Sequence, residues 1–222
     1  MKKVFLIDFD GTVTKVDTVD LMVKKFAKDG WQYYEELWEK GEMSTEECAI
    51  ETLKLMEMDE KRLLDLLYTI EIDDYFMEFL EFCSTKGYEV VIVSDGYDFN
   101  IKAIMEKYRF NVKFYSNKLW FEDGKIKVDF PYKSRDCNKC GMCKLEVLKR
   151  YKSRGYYVVY IGDGYSDLCV AKHADEVFAK DVLEKYCREN GIPHIPFKNF
   201  GDIIEKIKAI NLMAVYRLNN WR

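Results

Sequence analysis

Two carboxylates stand one residue apart near the start of the chain, directly after an apolar run. Asp8 and Asp10 follow Val4 to Ile7, a run that predicts a strand buried on both faces. Alternation along an extended chain points both carboxylates the same way, where they repel each other unless a cation or a proton compensates their charge. Gly11 permits a sharp turn and Thr12 adds a hydroxyl donor. The pattern favours a site that holds a metal or moves a proton over an ordinary surface turn.

Two later segments add groups that could bind phosphate or metal. Ser94, Asp95 and Gly96 follow a second apolar run, where a hydroxyl and a glycine turn can offer side-chain and backbone donors to a phosphate. Asp163 and Asp167 follow a third run, at a predicted turn from strand to helix. Their spacing places Asp163 where it could hold a metal and Asp167 where it could support that group.

The elements that must position these residues alternate along the chain. Apolar runs at Glu89 to Val93 and Tyr156 to Ile161 predict two further buried strands, with helical patterns between them. One predicted helix, Phe76 to Lys86, ends at a glycine that can cap it, and another begins at Lys144, a possible cation for phosphate. Alternating strands and helices predict an α/β fold with a parallel sheet. Ligands of such sheets bind beyond the carboxyl ends of the strands, where the polar residues lie.

One long stretch departs from this alternation. Residues 16–73 show only helical patterns, including a capping signal at Ser44 to Glu47. We predict a helical cap inserted after the first strand, which divides the core into residues 1–15 and 74–210. The alternative is that these helices complete the core. Residues 211–222 show no clear core pattern and form a tail whose order the sequence leaves open.

A second departure is a short alternating stretch at residues 112–130. Apolar and polar residues alternate around Glu122 to Lys125, whose central Asp-Gly pair predicts a β-hairpin. Such a hairpin could mediate a dimer, and the sequence does not decide between a monomer and a homodimer.

Composition narrows the class of protein and of partner. The chain has 222 residues, 48% hydrophobic and 33% charged, so it can bury a core, and disorder is disfavoured. A net charge of -4 argues against a nucleic-acid partner, because phosphate backbones are held mainly by clustered basic residues. No apolar run is long enough to span a membrane, and Asp8 interrupts the N-terminal run too early for an export signal. We therefore predict a cytoplasmic protein without a membrane partner.

Taken together, these groups have the order and setting found in the haloacid dehalogenase superfamily, which the sequence closely resembles. The shared patterns are Asp-x-Asp-Gly-Thr-x-Thr, a serine after the second strand, a lysine, and Gly-Asp-x-x-x-Asp, and the resemblance covers residues 1–210. It implies a Rossmann-like core with a helical cap directly after the first motif. Dehalogenases of the superfamily lack the metal-binding acids, so Asp10 and Asp163 argue against that activity. A phosphoryl mutase stays open, because sequence alone excludes it poorly.

The resemblance implies a phosphatase that forms an aspartyl-phosphate. Asp8 would be the nucleophile. Asp10 would protonate the leaving group and then activate the hydrolytic water. Mg²⁺ would be held by Asp8, Asp163 and the backbone carbonyl of Asp10. Asp167 would orient the lysine or the metal shell.

The phosphate-binding groups and the substrate follow from the same resemblance. Ser94 and Lys144 would hold the phosphate oxygens, with Asp95 and Gly96 in the same predicted turn. The chain is similar to the phosphoserine-phosphatase-like branch. Within it, four features are similar to those of one family: the run Ser94 to Phe99, the hairpin before the cysteines, Asp129 to Pro131, and Cys140 to Lys144. Through them the chain resembles the methionine-salvage phosphatases, which act on a small metabolite, hydroxy-keto-methylthiopentenyl phosphate. Asp95 departs from that family, which usually has glycine at this position.

Phosphoserine phosphatase and a broad-specificity small-molecule phosphatase are the alternatives. Phosphoserine carries an ammonium and a carboxylate, which need an acid and an arginine in the cap. Asp17 or Asp20 could supply the acid, but Arg62 is the only arginine there. The aromatic-rich segment 31–38 could line the pocket, although helical spacing is more typical of packing.

Three of the seven cysteines, Cys137, Cys140 and Cys143, form a Cys-x-x-Cys-x-x-Cys loop. That spacing can open a zinc or iron–sulfur site, but no fourth ligand is evident, since His173 and His194 are far along the chain. The resembling family has a similar loop before its lysine, so we interpret it as a structural loop, with a second metal site as the alternative. A metal or redox sensor on an inactive phosphatase fold would predict loss of the catalytic acids, and these are all present.

Overall fold

The computed structural model describes residues 2–137 and 139–219, and within residues 211–219 it describes the backbone alone. Its strands are β1 (Lys2–Ile7), β2 (Glu89–Tyr97), β3 (Lys113–Glu122), β4 (Lys125–Asp129), β5 (Tyr156–Gly162), β6 (Glu176–Ala179) and β7 (Ile195–Pro196). They form one sheet in the order β4-β3-β2-β1-β5-β6-β7. Every neighbouring pair is parallel except β3 and β4, which are antiparallel. The predicted α/β fold with a parallel sheet is confirmed.

Helices connect the strands, and two of their predicted ends are confirmed. Ser44 begins a helix through a capping box with Glu47, and Gly87 ends another at a φ of 65°. The helices are α1 (Thr18–Phe26), α2 (Trp31–Glu39), α3 (Thr45–Lys54), α4 (Glu60–Leu67), α5 (Phe76–Lys86), α6 (Asp98–Tyr108), α7 (Lys144–Lys152), α8 (Leu168–Ala171), α9 (Asp181–Glu189) and α10 (Phe200–Asn219). A short 3₁₀ turn, Tyr165–Asp167, precedes α8.

The central strand β1 is buried on both faces, as its apolar run predicts. Phe5 and Ile7 face one core cluster, whereas Val4 and Leu6 face the other. Each of these four side chains is fully buried. Burial of one such side chain is worth about 1.5–3 kcal/mol, so this strand fixes the layers on both sides of the sheet. The residues that follow it are thereby held at a fixed place on the sheet edge.

Strand β2 corrects one prediction. A turn was expected at Ser94 to Gly96, but β2 continues to Tyr97. Val93 pairs with Tyr115, while Tyr97 pairs with Asn117, so extra residues bulge between two paired positions. Pairing with β3 resumes after the bulge, which keeps the segment in the sheet. A bulge bends the strand and re-aims the side chains within it.

The predicted hairpin is confirmed at β3 and β4. Glu122 pairs with Lys125 across the turn. Asp123 and Gly124 have φ values of 50° and 70°, the positive angles that a two-residue primed turn requires. A dimer through this hairpin stays a prediction.

At the C-terminal end, α10 continues through residues 211–219, and the last part of the predicted tail, residues 220–222, lies outside the described residues. Across the described ranges, no helix has both the length and the apolar composition that crossing a membrane demands.

Candidate active site

The polar residues predicted from the motifs meet at the carboxyl edge of the sheet. β1 lies between β2 and β5, so Asp8 stands between Ser94 of β2 and Asp163 after β5. Lys144 is the first residue of α7, which packs against β5. Four segments that are far apart in sequence therefore supply one site.

Lys144 is a buried cation among acceptors. It is 2% exposed. Its Nζ donates to Oδ1 of Asp8 and to Oδ1 of Asp167, both at 2.6 Å, and to Oγ of Ser166 at 2.8 Å. All three ammonium protons thus have partners. Burial lowers the pKa of Lys144, but the charges of Asp167 and Asp8 outweigh it and hold that pKa above its usual value, so the side chain is charged.

Asp167 is fully buried and accepts from four donors. Its Oδ1 accepts from Lys144 and from the hydroxyl of Tyr160. Its Oδ2 accepts from the backbone N–H groups of Asp163 and Gly164, both at 3.0 Å. With its lone pairs occupied in this way, Asp167 orients the lysine and the loop after β5. The partnership with Tyr160 had no signal in the sequence, because it depends on a fold contact within a buried strand.

Three acids crowd together here. Asp8, Asp163 and Asp167 each offer a carboxylate oxygen within 4.8 Å of the others. Burial and then the charge of Asp167 raise the pKa of Asp8 well above its usual value and raise the pKa of Asp163 to about 6. Thr12 donates a hydrogen bond to Asp163 and partly opposes that shift. Oxygen ligands and excess negative charge fit a hard divalent cation such as Mg²⁺, held by Asp8 and Asp163.

Asp10 lies beside this group and is held by different donors. Its Oδ1 accepts from the backbone N–H of Thr18 at 3.1 Å and from the Thr18 hydroxyl, and its Oδ2 accepts from Oγ of Ser94 at 3.1 Å. Burial, followed by the charge of Asp17, raises the pKa of Asp10 to about 6, against the opposing hydrogen bonds. A carboxyl group with such a pKa can both give and take a proton near neutral pH.

Two glycines allow the backbone to approach these acids. A Cβ at Gly96 would lie 2.5 Å from Oδ2 of Asp10, and one at Gly11 would lie 2.6 Å from Oδ2 of Asp163. Gly11 also has a φ of 78°. A side chain at either position would therefore displace these carboxylates.

Asp95 lies within β2, and its side chain contacts other segments of the protein. Its carboxylate accepts from the backbone N–H of Met142, from Nδ2 of Asn117 and from Oγ1 of Thr45. These hydrogen bonds occupy the carboxylate oxygens of Asp95, and its negative charge would repel a second anion. Asp95 thus binds neighbouring segments of the protein.

The cysteine loop lies directly before Lys144. Cys143 is buried at the N-cap of α7, Cys140 is half-buried and Cys137 is exposed, and all three are free thiols. Over residues 2–137 and 139–210, these thiols do not come within 4.8 Å of one another as a group of three. A second metal site at this loop stays a prediction.

A cavity of about 480 Å³ opens over the site. Asp8 and Asp10 line it together with Trp31 and Trp38 of the predicted aromatic segment, whereas Tyr33 is 62% exposed and outside it. The sequence did not identify the remaining apolar lining, because it comes from α1, from α3 and the residue Met56 after it, from the end of β2 and from the 3₁₀ turn, and the packing of these segments sets which side chains point inward. That lining comprises Val19, Met22, Val23, Cys48, Ala49, Leu53, Met56, Tyr97 and Tyr165.

The sequence comparisons define the chain as a phosphatase. A family model described as "Putative Phosphatase" matches residues 3–184. The 2-hydroxy-3-keto-5-methylthiopentenyl-1-phosphate phosphatase of Geobacillus thermodenitrificans is 32% identical over 220 residues, which cover 96% of this chain and 100% of the relative. The enzyme of the same name from Brevibacillus brevis is 30% identical over 219 residues, which cover 96% and 99%. The chain belongs to this phosphatase family and is a phosphoric monoester hydrolase.

Solved structures agree on the fold. A substrate-bound phosphoserine phosphatase superposes with a TM-score of 0.70 at 21% identity and covers 93% of this chain and 98% of its own. A phosphoserine phosphatase from T. onnurineus superposes with a TM-score of 0.71 at 23% identity, covering 94% and 95%.

The close approach at Gly96 predicts a loss of activity on substitution. In Gly96→Ala, the new Cβ pushes against Asp10 and Oγ of Ser94, so we expect kcat/KM to fall at least about tenfold. The control is Gly124→Ala at the hairpin turn, which strains a positive φ but lies outside the cavity. Steady-state kinetics should show lost activity only in the first variant, and equal kinetics for both would contradict this geometry.

The raised pKa of Asp163 predicts a pH-dependent stability of the metal-free protein. The folded-state pKa of about 6 exceeds the value of about 3.9 in an unfolded chain, so folding binds a proton and stability falls as pH rises from about 4 through 6. In chelator, Asp163→Asn should match the wild-type Tm near pH 4 and exceed it above pH 6. Thermal unfolding across this range checks the prediction, with the exposed acid variant Asp65→Asn as control. A constant Tm difference at every pH would refute it.

Proposed function

We propose that this enzyme is a Mg²⁺-dependent phosphatase that works through an aspartyl-phosphate on Asp8. The observation that carries the proposal is the unequal use of the two oxygens of Asp8. Its Oδ1 is 2.6 Å from Nζ of Lys144, whereas in the described part of the chain no hydrogen bond reaches Oδ2. Asp8 lines the cavity. One oxygen is thus anchored and the other is available to attack a bound phosphate.

The chemistry of the two half-reactions follows from the neighbouring groups. An oxygen of Asp8 attacks phosphorus, the bond to the ester oxygen breaks, and Asp10 gives its proton to the leaving alkoxide. Asp10 then accepts a proton from water, which attacks phosphorus and releases Asp8 and inorganic phosphate. This order requires Asp10 to enter the reaction protonated, and its pKa of about 6 makes that form accessible.

An anionic nucleophile and an anionic ester repel each other, and the site must offset this repulsion. Lys144 and Oγ of Ser94 would bind the phosphate oxygens as charge shifts onto them, in exchange for the hydrogen bonds that they make to Ser166 and to Asp10 in this structure. Bound Mg²⁺ would act there as a Lewis acid that offsets negative charge. Asp8, Asp163 and the backbone carbonyl of Asp10 would hold the Mg²⁺. Asp167 keeps Lys144 in place through its ion pair with the ammonium group.

The helical segment 16–73 would act as a cap over the site. The chain leaves and re-enters the core at one place, since Thr14 and Ile72 form an antiparallel bridge. The backbone N–H of Lys15 donates to the carbonyl of Glu71 at 2.9 Å beside it. Paired linkers of this kind join a closing segment to its core. α1, α2 and α3 supply most of the cavity lining, which supports the cap interpretation over mere completion of the core.

For the substrate, we propose the methylthio-keto phosphate of methionine salvage. Met22, Leu53 and Met56 are among the apolar groups that line the cavity and suit a thioether tail. The relatives described above are named for this activity, and the apolar lining is consistent with it.

Phosphoserine is the second candidate, favoured by the acid Asp17 in the cavity. Among the described cavity-lining residues, the only basic one is Lys24, and it is paired with Asp20 at 2.7 Å. Arg62 packs over the ring of Phe26 and donates to a backbone carbonyl. The phosphoserine carboxylate would therefore lack a free cation, which ranks this substrate, and a broad-specificity activity, below the keto-phosphate. A cytoplasmic location and a monomeric or homodimeric state stay predictions.

Phosphate release from a panel of phosphomonoesters tests the reaction. We expect release with Mg²⁺, none in chelator, and a loss of at least about 10³-fold in Asp8→Asn, because the amide is a poor nucleophile. The exposed-acid variant Asp65→Asn serves as the matched control and should retain wild-type rates. Full activity in chelator, or in Asp8→Asn, would rule out this mechanism.

The same panel separates the substrates. The apolar lining predicts a kcat/KM for the methylthio-keto phosphate at least about tenfold above that for phosphoserine, since one unpaired carboxylate on binding costs more than 1.4 kcal/mol. A preference for phosphoserine would overturn the substrate assignment and leave the reaction class intact.

A further inference from the structure

Asp95 lies in the bulge of β2, one residue after Ser94, yet its side chain binds protein segments. Oδ1 accepts from the backbone N–H of Met142 at 2.7 Å and from Nδ2 of Asn117 at 3.1 Å. Oδ2 accepts from Oγ1 of Thr45 at 3.0 Å. One carboxylate therefore joins the cysteine loop, strand β3 and the first residue of α3.

The contact with the cysteine loop bears on Lys144. Met142 is fully buried and stands two residues before Lys144, which begins α7. The loop packs closely on the partner of Asp95, since a Cβ at Gly141 would lie 2.8 Å from Nδ2 of Asn117. Because Asp95 fixes the position of Met142, it also fixes the position at which α7 begins. The orientation of Lys144, the first residue of that helix, follows from this.

The contact with α3 bears on the cap. The backbone N–H of Thr45 donates to the carbonyl of Lys139 in the cysteine loop at 2.8 Å. Oγ1 of Thr45 accepts from Nε1 of Trp38 at 3.0 Å, and the Trp38 ring meets Tyr165 edge-on at 6.3 Å between centroids. Tyr165 lies in the loop between Asp163 and Asp167. The cap thus touches the core on both sides of the cavity, and Asp95 anchors one of these sides.

We propose that Asp95 is a positioning residue that links the placement of Lys144 to the docking of the cap on the core. The proposal rests on the phosphatase mechanism above. A half-buried carboxylate is stabilised by the donors that satisfy it, and removal of the Asp95 carboxylate leaves the Met142 N–H and the Thr45 hydroxyl without their acceptor. Loss of the Asp95 carboxylate should therefore make both the cysteine loop and the start of α3 more mobile.

Asp95→Ala and Asp95→Asn test the proposal with activity and with a readout that needs no turnover. We expect Asp95→Ala to lower kcat about 10- to 100-fold, because Lys144 is misplaced, and to weaken binding of inorganic phosphate about tenfold. Amide hydrogen exchange should quicken at Met142 and at Thr45. Asp95→Asn keeps an acceptor for Met142 and should restore kcat to within about threefold of wild type.

Glu46→Gln is the matched control. Glu46, the second residue of α3, forms an exposed ion pair with Lys133, which precedes the cysteine loop, and such pairs contribute little. This variant should keep kcat, phosphate affinity and exchange near wild-type values. If Asp95→Ala fails to fold, Thr45→Val removes the hydroxyl that donates to Asp95 and accepts from Trp38, and it should raise KM and quicken exchange at α3.

The outcomes separate this inference from the proposed mechanism. Turnover by the wild type and its loss in Asp8→Asn report on the mechanism, whereas phosphate affinity and amide exchange report on Asp95 with or without turnover. Unchanged kcat, phosphate affinity and exchange in Asp95→Ala would overturn the proposal. So would an equal loss in Asp95→Asn, since the hydrogen bonds would then not be the cause.

Discussion

The buried ammonium of Lys144 is the interaction on which the site depends. It is 2% exposed and lies 2.6 Å from the carboxylates of both Asp8 and Asp167. An unpaired charge at that depth costs several kcal/mol, so each member of the trio needs the others. The arrangement orients one oxygen of Asp8, whereas Asp163 and Asp10 have hydrogen-bond donors but, among the described residues, no ion pair. A divalent cation or a transferred proton can offset the negative charge of these carboxylates.

The parallel sheet brings these groups together because its carboxyl ends share one edge. β1 is apolar on both faces and is fixed by two core layers, so the first residue after it has little freedom. The bulge in β2 turns Ser94 toward Asp10, and Gly96 makes room for that approach. Local backbone features thus set distances of a few ångströms between side chains that are far apart in sequence.

Much of this could be predicted from the sequence where a local rule applies. The buried strand before Asp8, the capping box at Ser44 and the Asp123-Gly124 turn each follow from residue type and spacing. The bulge of β2 could not be read in this way, because pairing resumes at Asn117, a residue of another strand. The same reason explains why the contacts of the Asp95 side chain with Thr45, Asn117 and Met142 could not be predicted.

The cavity lining likewise could not be predicted from the sequence. Segment 31–38 was recognised as aromatic, yet which of its rings face inward depends on how α2 packs against α3. The partnership of Tyr160 with Asp167 likewise requires the register of β5. Motifs identify the reacting groups, whereas contacts between segments decide what surrounds them.

Direct detection of the phosphorylated side chain tests the central claim most directly. The wild-type protein would be mixed with a substrate and Mg²⁺, quenched in acid within one turnover, digested, and mapped by mass spectrometry. The account predicts one phosphoryl group on the peptide that contains Asp8, on that side chain. Turnover without any phosphoryl group on Asp8 under these conditions, or with the group on another residue, would contradict it.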